Sequence, residues 1–323
     1  MFFVDHYNRE VRYLRLSLTS ACHMRCVYCR PALHRNPDGD LLTPIEIEQM
    51  VRHLVLHHGV QKVRLTGGDP TARTDLLEII NRLSQIDGVK DLAMTTNGLA
   101  LKAHADEYAS AGLGRVNVSL DSLDPEQFAR MTGVDRLGLV LEGIDAAIDA
   151  GLTPIKLNTV VLKDENEEQL PELIQYASDR GVAIRFIELM PMGPLAHQWS
   201  ERYITAATMR QGLDGFIQSW TRLEQGSDSA TNYRVTLQDG SEATVGFITP
   251  MSCNFCAACN RIRIAGDGSL YPCLMDNPAG SILPAIRPRW SAEEFDHILA
   301  QGLAKKAPEH PAQGFVTMTV IGG

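Results

Sequence analysis

Residues 13–29 read YLRLSLTSACHMRCVYC, a strand-like run that leads directly into three closely spaced cysteines. The run is apolar in its body and ends in the polar residue Thr19, which is typical of a buried strand that delivers a loop to one edge of a sheet. Cys22, Cys26 and Cys29 therefore belong to the loop after the first predicted strand. This strand and its cysteine loop are the starting point for both the fold and the site.

Five further runs of the same kind follow along the chain, and helical segments separate them. They are residues 62–68 (KVRLTGG), 91–97 (DLAMTTN), 115–121 (RVNVSLD), 155–162 (IKLNTVVL) and 183–190 (AIRFIELM). The intervening segments, such as 43–59 and 71–86, space their apolar residues as a helix does and open with Thr or Asp cap signals. Alternating strands and helices predict an α/β fold whose parallel strands are joined by right-handed crossovers.

The polar residues of these strands are concentrated at the carboxyl ends, for example Thr66, Thr95, Ser119, Asn158 and Glu188. Parallel barrels build their sites at these ends, so the pattern favours a barrel with one large shared site. For any single residue, the alternative is an ordinary turn residue that ends a strand. Six strand ends of the same character together favour the shared site.

The pattern changes after Met190. Residues 233–248 alternate around Asp239-Gly240, which predicts a hairpin, and the segments before them read as loops. We therefore expect two regions, a barrel over residues 1–225 and a small irregular extension over residues 226–323 that carries the second group of cysteines.

Composition limits the class of protein. The chain has 323 residues, 44% hydrophobic and 21% charged, so it can bury a core without a partner or a disulfide. No apolar run approaches the roughly 20 residues that cross a bilayer, and the start has no signal-peptide pattern, so we expect a cytoplasmic protein. A net charge of −9 predicts neither nucleic-acid nor membrane binding. Any anionic ligand must be held by a local basic cluster.

The seven cysteines form two groups, Cys22, Cys26, Cys29 and Cys253, Cys256, Cys259, Cys273. In a reducing compartment, such clusters indicate metal or iron–sulfur ligands sooner than disulfides. Three thiolates can hold three irons of a 4Fe-4S cluster and leave the fourth iron open to another ligand. Zinc is the alternative at both places, with His23 or His34 completing the first site and all four cysteines forming the second.

Several stretches resemble one enzyme family. The CxxxCxxC spacing, with Tyr28 before the last cysteine, resembles the radical S-adenosylmethionine (SAM) enzymes, as does Gly67-Gly68-Asp69-Pro70. A longer set resembles the GTP 3',8-cyclase family within that superfamily, which catalyses the first step of molybdenum cofactor biosynthesis. The sequence motifs of this set are RLSLT (15–19), CVYC (26–29), VRLTGG (63–68), TTNG (95–98), RVNVSLDSLD (115–124), RFIELM (185–190), FCAACNRIRI (255–264) and VIGG (320–323).

The resemblance implies a lyase with two 4Fe-4S clusters on an incomplete (βα)6 TIM-like barrel. One electron from the first cluster would cleave bound SAM to methionine and a 5'-deoxyadenosyl radical. That radical would take a hydrogen from C3' of GTP, and the ribose radical would attack C8 of guanine to give 3',8-cyclo-7,8-dihydro-GTP. The protein would orient the reactants and exclude water and oxygen.

The resemblance also implies roles for particular residues. The cluster ligands would be Cys22, Cys26, Cys29, Cys256, Cys259 and Cys273, and the catalytic groups Cys22, Cys26, Cys29, Arg261 and Arg263. SAM would contact Tyr28, Gly68, Asp69, Ser119 and Met190. GTP would contact Arg15, Arg64, Thr95, Lys156, Arg261, Ile262 and Arg263. Most of these GTP contacts are cationic, as a triphosphate requires. The terminal Gly322-Gly323 resembles a tail that reaches back into the barrel.

A few positions depart from the family pattern. Asp69 replaces a usual Glu, Arg30 a usual Met and Ser20 a usual Asp, and Cys253 is extra. The shorter Asp69 side chain has two alternative roles, a contact to the SAM amino group or a cap for the helical turn near Thr71.

Two other functions stay open from the sequence. One is a paralogous twin-cluster radical SAM enzyme with a different substrate, such as a peptide-modifying maturase. The other is an electron-transfer iron–sulfur protein, which a barrel of this size and three-cysteine groups disfavour. The partners expected beside GTP are an electron donor such as flavodoxin or ferredoxin, and a homodimer stays open as an oligomeric state.

Overall fold

Six βα units build the centre of the fold. The computed structural model describes residues 3–29, 41–224, 228–312 and 321–322. The predicted strands are confirmed as β1 Tyr13–Ser17, β2 Lys62–Thr66, β3 Asp91–Thr96, β4 Arg115–Ser119, β5 Lys156–Val161 and β6 Ala183–Glu188. They pair in sequence order and all in parallel.

Helices follow the strands and cover the outer face of the sheet. Their bounds are α1 Pro44–His58, α2 Leu76–Ser84, α3 Leu101–Ser110, α4 Pro125–Thr132, α5 Leu137–Asp149, α6 Leu170–Asp179, α7 Trp199–Arg202, α8 Ala206–Gln211, α9 Leu283–Ile286 and α10 Ala292–Ala304. α1 shows how local chemistry sets these bounds: Thr43 and Glu46 form a capping box at its start, and Gly59 ends it with a left-handed φ of 72°.

The region after residue 228 contributes strands to both edges of the sheet. They follow β7 Ile217–Arg222 and are β8 Ala230–Leu237, β9 Glu242–Ile248, β10 Arg261–Ile264, β11 Ser269–Tyr271 and β12 Gly280–Ser281. β9 pairs in parallel with β6, and β10 pairs in parallel with β1. The order β12-β11-β10-β1-β2-β3-β4-β5-β6-β9-β8-β7 is that of an open sheet, so the incomplete barrel is confirmed. The predicted hairpin is β8–β9, with Gly240 at φ 86°.

The two faces of the central strands have different chemistry. Leu14 and Leu16 of β1 are fully buried, as is Leu65 of β2, and all three pack in the main core against the helices. The intervening residues, among them Arg15 and Arg64, project to the inner face, because successive side chains of a strand alternate. The apolar face therefore holds the scaffold together and leaves the inner face available for polar groups.

Some sequence predictions lie outside the described residues. These are Arg30, His34, Gly323 and the expected boundary between residues 225 and 226. Within the described part of the chain, no helix is long and apolar enough to cross a membrane.

β9 covers the edge of β6 and β10 covers the edge of β1, which leads to a prediction for a fragment that ends at residue 224. Removing the later strands exposes the edges of β1 and β6, and unpaired edges associate with other chains. We expect this fragment to aggregate while the full chain, purified in parallel, elutes as a defined species on size exclusion. A monomeric fragment with a cooperative unfolding transition would contradict this.

Candidate functional site

One cavity opens on the inner face of the sheet, and both cysteine groups line it. Cys22, Cys26 and Cys29 border it from the loop after β1, and Cys256, Cys259 and Cys273 border it from the loops around β10 and β11. The two groups are more than 220 residues apart in sequence, but β10 pairs directly with β1. This one strand pairing therefore brings both groups to the same cavity.

A row of arginines crosses the inner face. Arg15 lies opposite Arg64 of β2 and opposite Arg263 of β10 in the parallel register. Arg261 precedes Arg263 by two residues and faces the same side, and all four residues line the cavity. Parallel pairing in register puts like charges next to each other, which is unfavourable unless an anion lies between them.

The electrostatics of this row show its need for an anion. Burial lowers the pKa of Arg15 to about 9; Tyr13 opposes this shift, while repulsion from Arg263 adds to it. Burial, with repulsion from Arg261, lowers the pKa of Arg263 to about 10. Within the described part of the chain, the buried Nε atoms of Arg15, Arg261 and Arg263 have no hydrogen-bond partner. Such unpaired donors around a cavity fit a ligand with several negative charges, and a triphosphate is one.

The first cysteine loop is held tightly against its neighbours. The Tyr28 hydroxyl donates to Oδ2 of Asp121 at 2.5 Å, and burial raises the pKa of Asp121 to about 6. Gly68 lies so close to the loop that a Cβ there would sit 2.4 Å from the Ala21 carbonyl oxygen. Only glycine permits this approach of two backbones. The glycine motif after β2 thus fixes the position of the cysteine loop.

The thiols of this loop need a bound cation to ionise. Burial raises the pKa of Cys22 and of Cys26, and it raises the pKa of Cys29 to about 12, with further repulsion from Cys22. Thiolates are the ligands of iron–sulfur clusters, and bound iron supplies the positive charge that stabilises them.

The second cysteine group has a cationic environment. Burial would raise the pKa of Cys259, but Arg261 and Lys306 outweigh it and lower that pKa to about 6. Nζ of Lys306 lies 3.5 Å from Sγ of Cys259 and donates to the carbonyl oxygens of Arg261 and Pro272 at 2.5 and 3.2 Å. Lys306 therefore ties together the segments that carry Cys259 and Cys273.

The arrangement of the sulfurs distinguishes a cluster from a single zinc ion. Four thiolates around one zinc lie about 3.8 Å apart. Among the described residues, the groups of three or more ligand atoms within 4.8 Å of one another include no cysteine triplet. Cys253 is exposed and does not line the cavity, whereas Cys256, Cys259 and Cys273 do. The described sulfurs of neither group are thus gathered as closely as the ligands of one zinc ion, and three thiolates at each place are the ligand set of an iron–sulfur cluster with one open iron.

Most residues expected to contact SAM and GTP line the cavity. These are Tyr28, Gly68, Ser119, Met190, Arg15, Arg64, Thr95, Lys156, Arg261 and Arg263. Ile262 is an exception, because its side chain alternates away from the cavity and packs in the main core.

Asp69 is the second exception. It is fully buried and does not line the cavity. Its Oδ1 accepts from the Thr71 backbone N–H at 2.9 Å, and its Oδ2 accepts from the Thr96 hydroxyl at 2.9 Å and the Asn97 N–H at 2.6 Å. Both oxygens are thus engaged in joining the end of β2 to the end of β3. This arrangement supports the capping role and not a side-chain contact to SAM.

Two residues of the site were missed from the sequence. Arg185 of β6 lines the cavity, and its Nε donates to Oδ1 of Asn158 at 2.9 Å. Arg185 has a local signal, a charge inside an apolar strand, and it shares this signal with Arg15 and Arg64, which the family resemblance had identified. Lys306 carried no comparable local signal, since it follows α10 and meets Cys259 only in the folded chain.

The end of the chain returns to the site. Gly322 has a left-handed φ of 68°, and a Cβ there would lie 2.3 Å from Cγ2 of Thr66, which lines the cavity. Ile321 is buried beside Ala265 and Tyr271. Only a residue without a side chain fits at position 322.

Comparison with known proteins agrees with this geometry. The family model of the radical SAM superfamily matches residues 16–177, and the model described as Molybdenum Cofactor Synthesis C matches residues 182–312. The GTP 3',8-cyclase of Pelotomaculum thermopropionicum is 40% identical over 95% of this chain and 94% of its own length. That of Alkaliphilus metalliredigens is 36% identical over 95% and 93%. The chain therefore belongs to the GTP 3',8-cyclase family of the radical SAM superfamily.

A solved structure supports the fold independently. The crystal structure of Streptococcus suis SuiB bound to S-adenosylmethionine has a TM-score of 0.64 and 16% identity to this chain, and the match covers 93% of this chain and 69% of that one.

The contacts of Asp69 predict the effect of Asp69→Ala. The substitution leaves the Thr71 and Asn97 N–H groups without their acceptor, so we expect about 2–4 kcal/mol lower stability. SAM affinity of the cluster-loaded variant, measured by calorimetry below its melting temperature, should stay within about threefold of the parent, a factor worth about 0.7 kcal/mol. Unchanged stability together with much weaker SAM binding in this variant would show instead that Asp69 contacts SAM.

Proposed function

We propose that this chain converts GTP into 3',8-cyclo-7,8-dihydro-GTP, the first step of molybdenum cofactor biosynthesis. The observation that carries the proposal is one cavity lined by two three-cysteine groups and by a row of arginines. Three of these arginines have a buried Nε atom that finds no hydrogen-bond partner among the described residues. The curated relatives with this activity align over nearly the whole chain. No observation favours a peptide substrate.

The first cysteine group is proposed to hold the cluster that acts on SAM. Cys22, Cys26 and Cys29 would ligate three irons of a 4Fe-4S cluster. When bound, the reduced cluster and SAM would supply a 5'-deoxyadenosyl radical that removes the C3' hydrogen of GTP, so that C3' bonds to C8 of guanine. One further electron, from the external donor, and one proton would then convert the cyclised radical into the dihydro product. Tyr28, Gly68, Ser119 and Met190 would bind and orient SAM, since they line the cavity that the first cysteine group borders.

The second group is proposed to hold a cluster that binds substrate. Cys256, Cys259 and Cys273 would ligate it, and its open iron would face the guanine. Arg261 and Arg263 would contact GTP beside this cluster, and Arg15 and Arg64 would extend the positive surface across β1 and β2. Each phosphate contact would pair with a guanidinium of this row, so binding would relieve the repulsion between the neighbouring arginines.

Further residues would complete the GTP site. Lys156 and Thr95 line the same inner face. Arg185 of β6 adds a second strand-borne cation beyond β4, after Lys156 of β5. The Nζ of Lys156 lies 3.4 Å from Oδ2 of Asp228, a surface pairing that a phosphate could replace.

The setting of the reaction is also proposed. Clustered thiols suit the reducing cytoplasm, and an electron donor such as flavodoxin or ferredoxin would reduce the first cluster. We retain residues 1–225 and 226–323 as the barrel region and the substrate region, and a homodimer as the assembly to test.

Cluster occupancy separates the roles of the two groups. Anaerobic reconstitution should give about eight irons per chain. Replacing Cys22, Cys26 and Cys29 by Ala should halve the iron and abolish 5'-deoxyadenosine formation. Replacing Cys256 and Cys259 should also halve the iron, yet leave SAM cleavage measurable while the GTP isomer disappears from the mass spectrum. Stoichiometric zinc in place of iron, or iron unaffected by the second pair of substitutions, would refute the two-cluster assignment.

The arginine row predicts that Arg263→Ala weakens GTP binding without lowering the thermal stability of the ligand-free protein. Losing a charge-assisted phosphate contact of about 1.5–3 kcal/mol weakens GTP binding about tenfold to a hundredfold. Removing one like charge relieves Arg15, so the melting temperature without ligand should not fall. The matched control is Arg82→Ala, whose side chain pairs with Glu48 and Glu78 on the surface and should leave GTP affinity unchanged. Equal GTP affinity in both variants would contradict the hypothesis that Arg263 contacts the triphosphate.

A further inference from the structure

Two histidines and one aspartate converge outside the cavity. His53 and His58 belong to α1, and Asp296 belongs to α10. Each histidine has its Nε2 atom 2.7 Å from Oδ1 of Asp296, and the two Nε2 atoms lie 3.4 Å apart. None of the three residues lines the cavity described above. Among the described residues, this is the one group of three His, Cys, Asp or Glu ligand atoms that lie within 4.8 Å of one another.

The distances match the ligand set of a borderline divalent cation. Zinc binds imidazole nitrogen at about 2.0–2.1 Å, so two nitrogens on a tetrahedral ion lie about 3.3 Å apart. The separation of the two Nε2 atoms here is 3.4 Å. The nitrogen–oxygen separations of 2.7 Å would have to widen to about 3.3 Å around such an ion, a shift of about 0.6 Å. The group that must move is the exposed one, since the Asp296 side chain is 41% accessible.

The imidazoles are held in place by aromatic packing. Their side chains are only 10% and 11% accessible. The ring of Phe3 lies 3.8 Å from that of His58, and the rings of Trp290 and Phe295 lie 5.4 and 5.5 Å from that of His53. Two nitrogen ligands are thus preorganised, and preorganised ligands lose little entropy on binding.

We propose that His53, His58 and Asp296 bind one borderline divalent cation of the Zn²⁺, Ni²⁺ and Cu²⁺ class, which fixes α10 to α1. Imidazole nitrogen with a single carboxylate oxygen is a donor set that suits these ions better than Mg²⁺ or Ca²⁺. The exposed side of Asp296 leaves room for water as a further ligand.

The position of α10 gives the ion a structural role. This helix ends at Ala304, and the residues that follow contact the second cysteine group: Lys306 lies beside Sγ of Cys259, and the guanidinium of Arg9 joins the carbonyl oxygens of Ala307 and Cys256. An ion that anchors α10 would stabilise the segment on which these contacts depend. This role does not rest on the proposed function, because it concerns the fold around the cysteines.

Zinc binding by the cluster-loaded protein tests the site. Loading both clusters first keeps the six cavity cysteines occupied, and the iron content measured afterwards verifies that zinc has not displaced iron. The protein is dialysed anaerobically against buffers of defined free Zn²⁺, and zinc is counted by mass spectrometry. We expect one zinc per chain, and a melting temperature that rises with Zn²⁺ concentration, because the ion binds the folded state.

Two variants and a matched control decide the outcome. His53→Gln and Asp296→Asn each remove one ligand of the ion while keeping the size and hydrogen bonding of the side chain. Each should weaken zinc binding about tenfold to a hundredfold and abolish the rise in melting temperature with zinc. The control is His104→Gln, which disrupts a surface pair with Glu107 that has no third ligand among the described residues. It should bind zinc as the parent does. A parent that binds no zinc, or variants that bind it as tightly as the control, would overturn the proposal.

Discussion

Arg15, Arg64 and Arg263 lie side by side on three parallel strands, and this crowding of buried like charges is the constraint around which the site is organised. Their guanidinium groups are largely removed from water, and the Nε atoms of Arg15, Arg261 and Arg263 find no hydrogen-bond partner among the residues that the structure describes. The protein thus holds positive charge in a place where only a polyanion can stabilise it. Stability is given up at the inner face, where we propose that a triphosphate binds.

The opposite face of the same strands makes this possible. Leu14, Leu16 and Leu65 are fully buried beneath the helices, so the strands are fixed by apolar packing independently of the charges on their inner face. Because side chains alternate along a strand, each strand can place apolar side chains against the helices and charged side chains on the inner face. The rigid outer layer lets the inner face carry unpaired donors without collapsing around them.

The pairing of β10 with β1 connects the two halves of the chemistry. β1 leads into the first cysteine loop, and β10 begins two residues after Cys259. One parallel contact therefore sets the distance between both cysteine groups and completes the arginine row. Lys306 and Gly322, from the end of the chain, close the same region by contacting Cys259 and Thr66. The C-terminal region is an integral part of the sheet that forms the site.

The sequence by itself determined the six βα units, the hairpin at Asp239-Gly240 and the identity of both cysteine groups, because each depends on residues that are close together in the chain. Most of the cavity residues followed as well from the family resemblance, because the motifs that carry it are continuous stretches of sequence. The tertiary structure alone decided that β9 and β10 join opposite edges of the sheet, and that Asp69 faces Thr96 and Asn97 and not the cavity. It also brought Lys306 to Cys259 and Asp296 to His53 and His58. These contacts join segments far apart in sequence, and no local periodicity encodes which distant strand or helix a segment will meet.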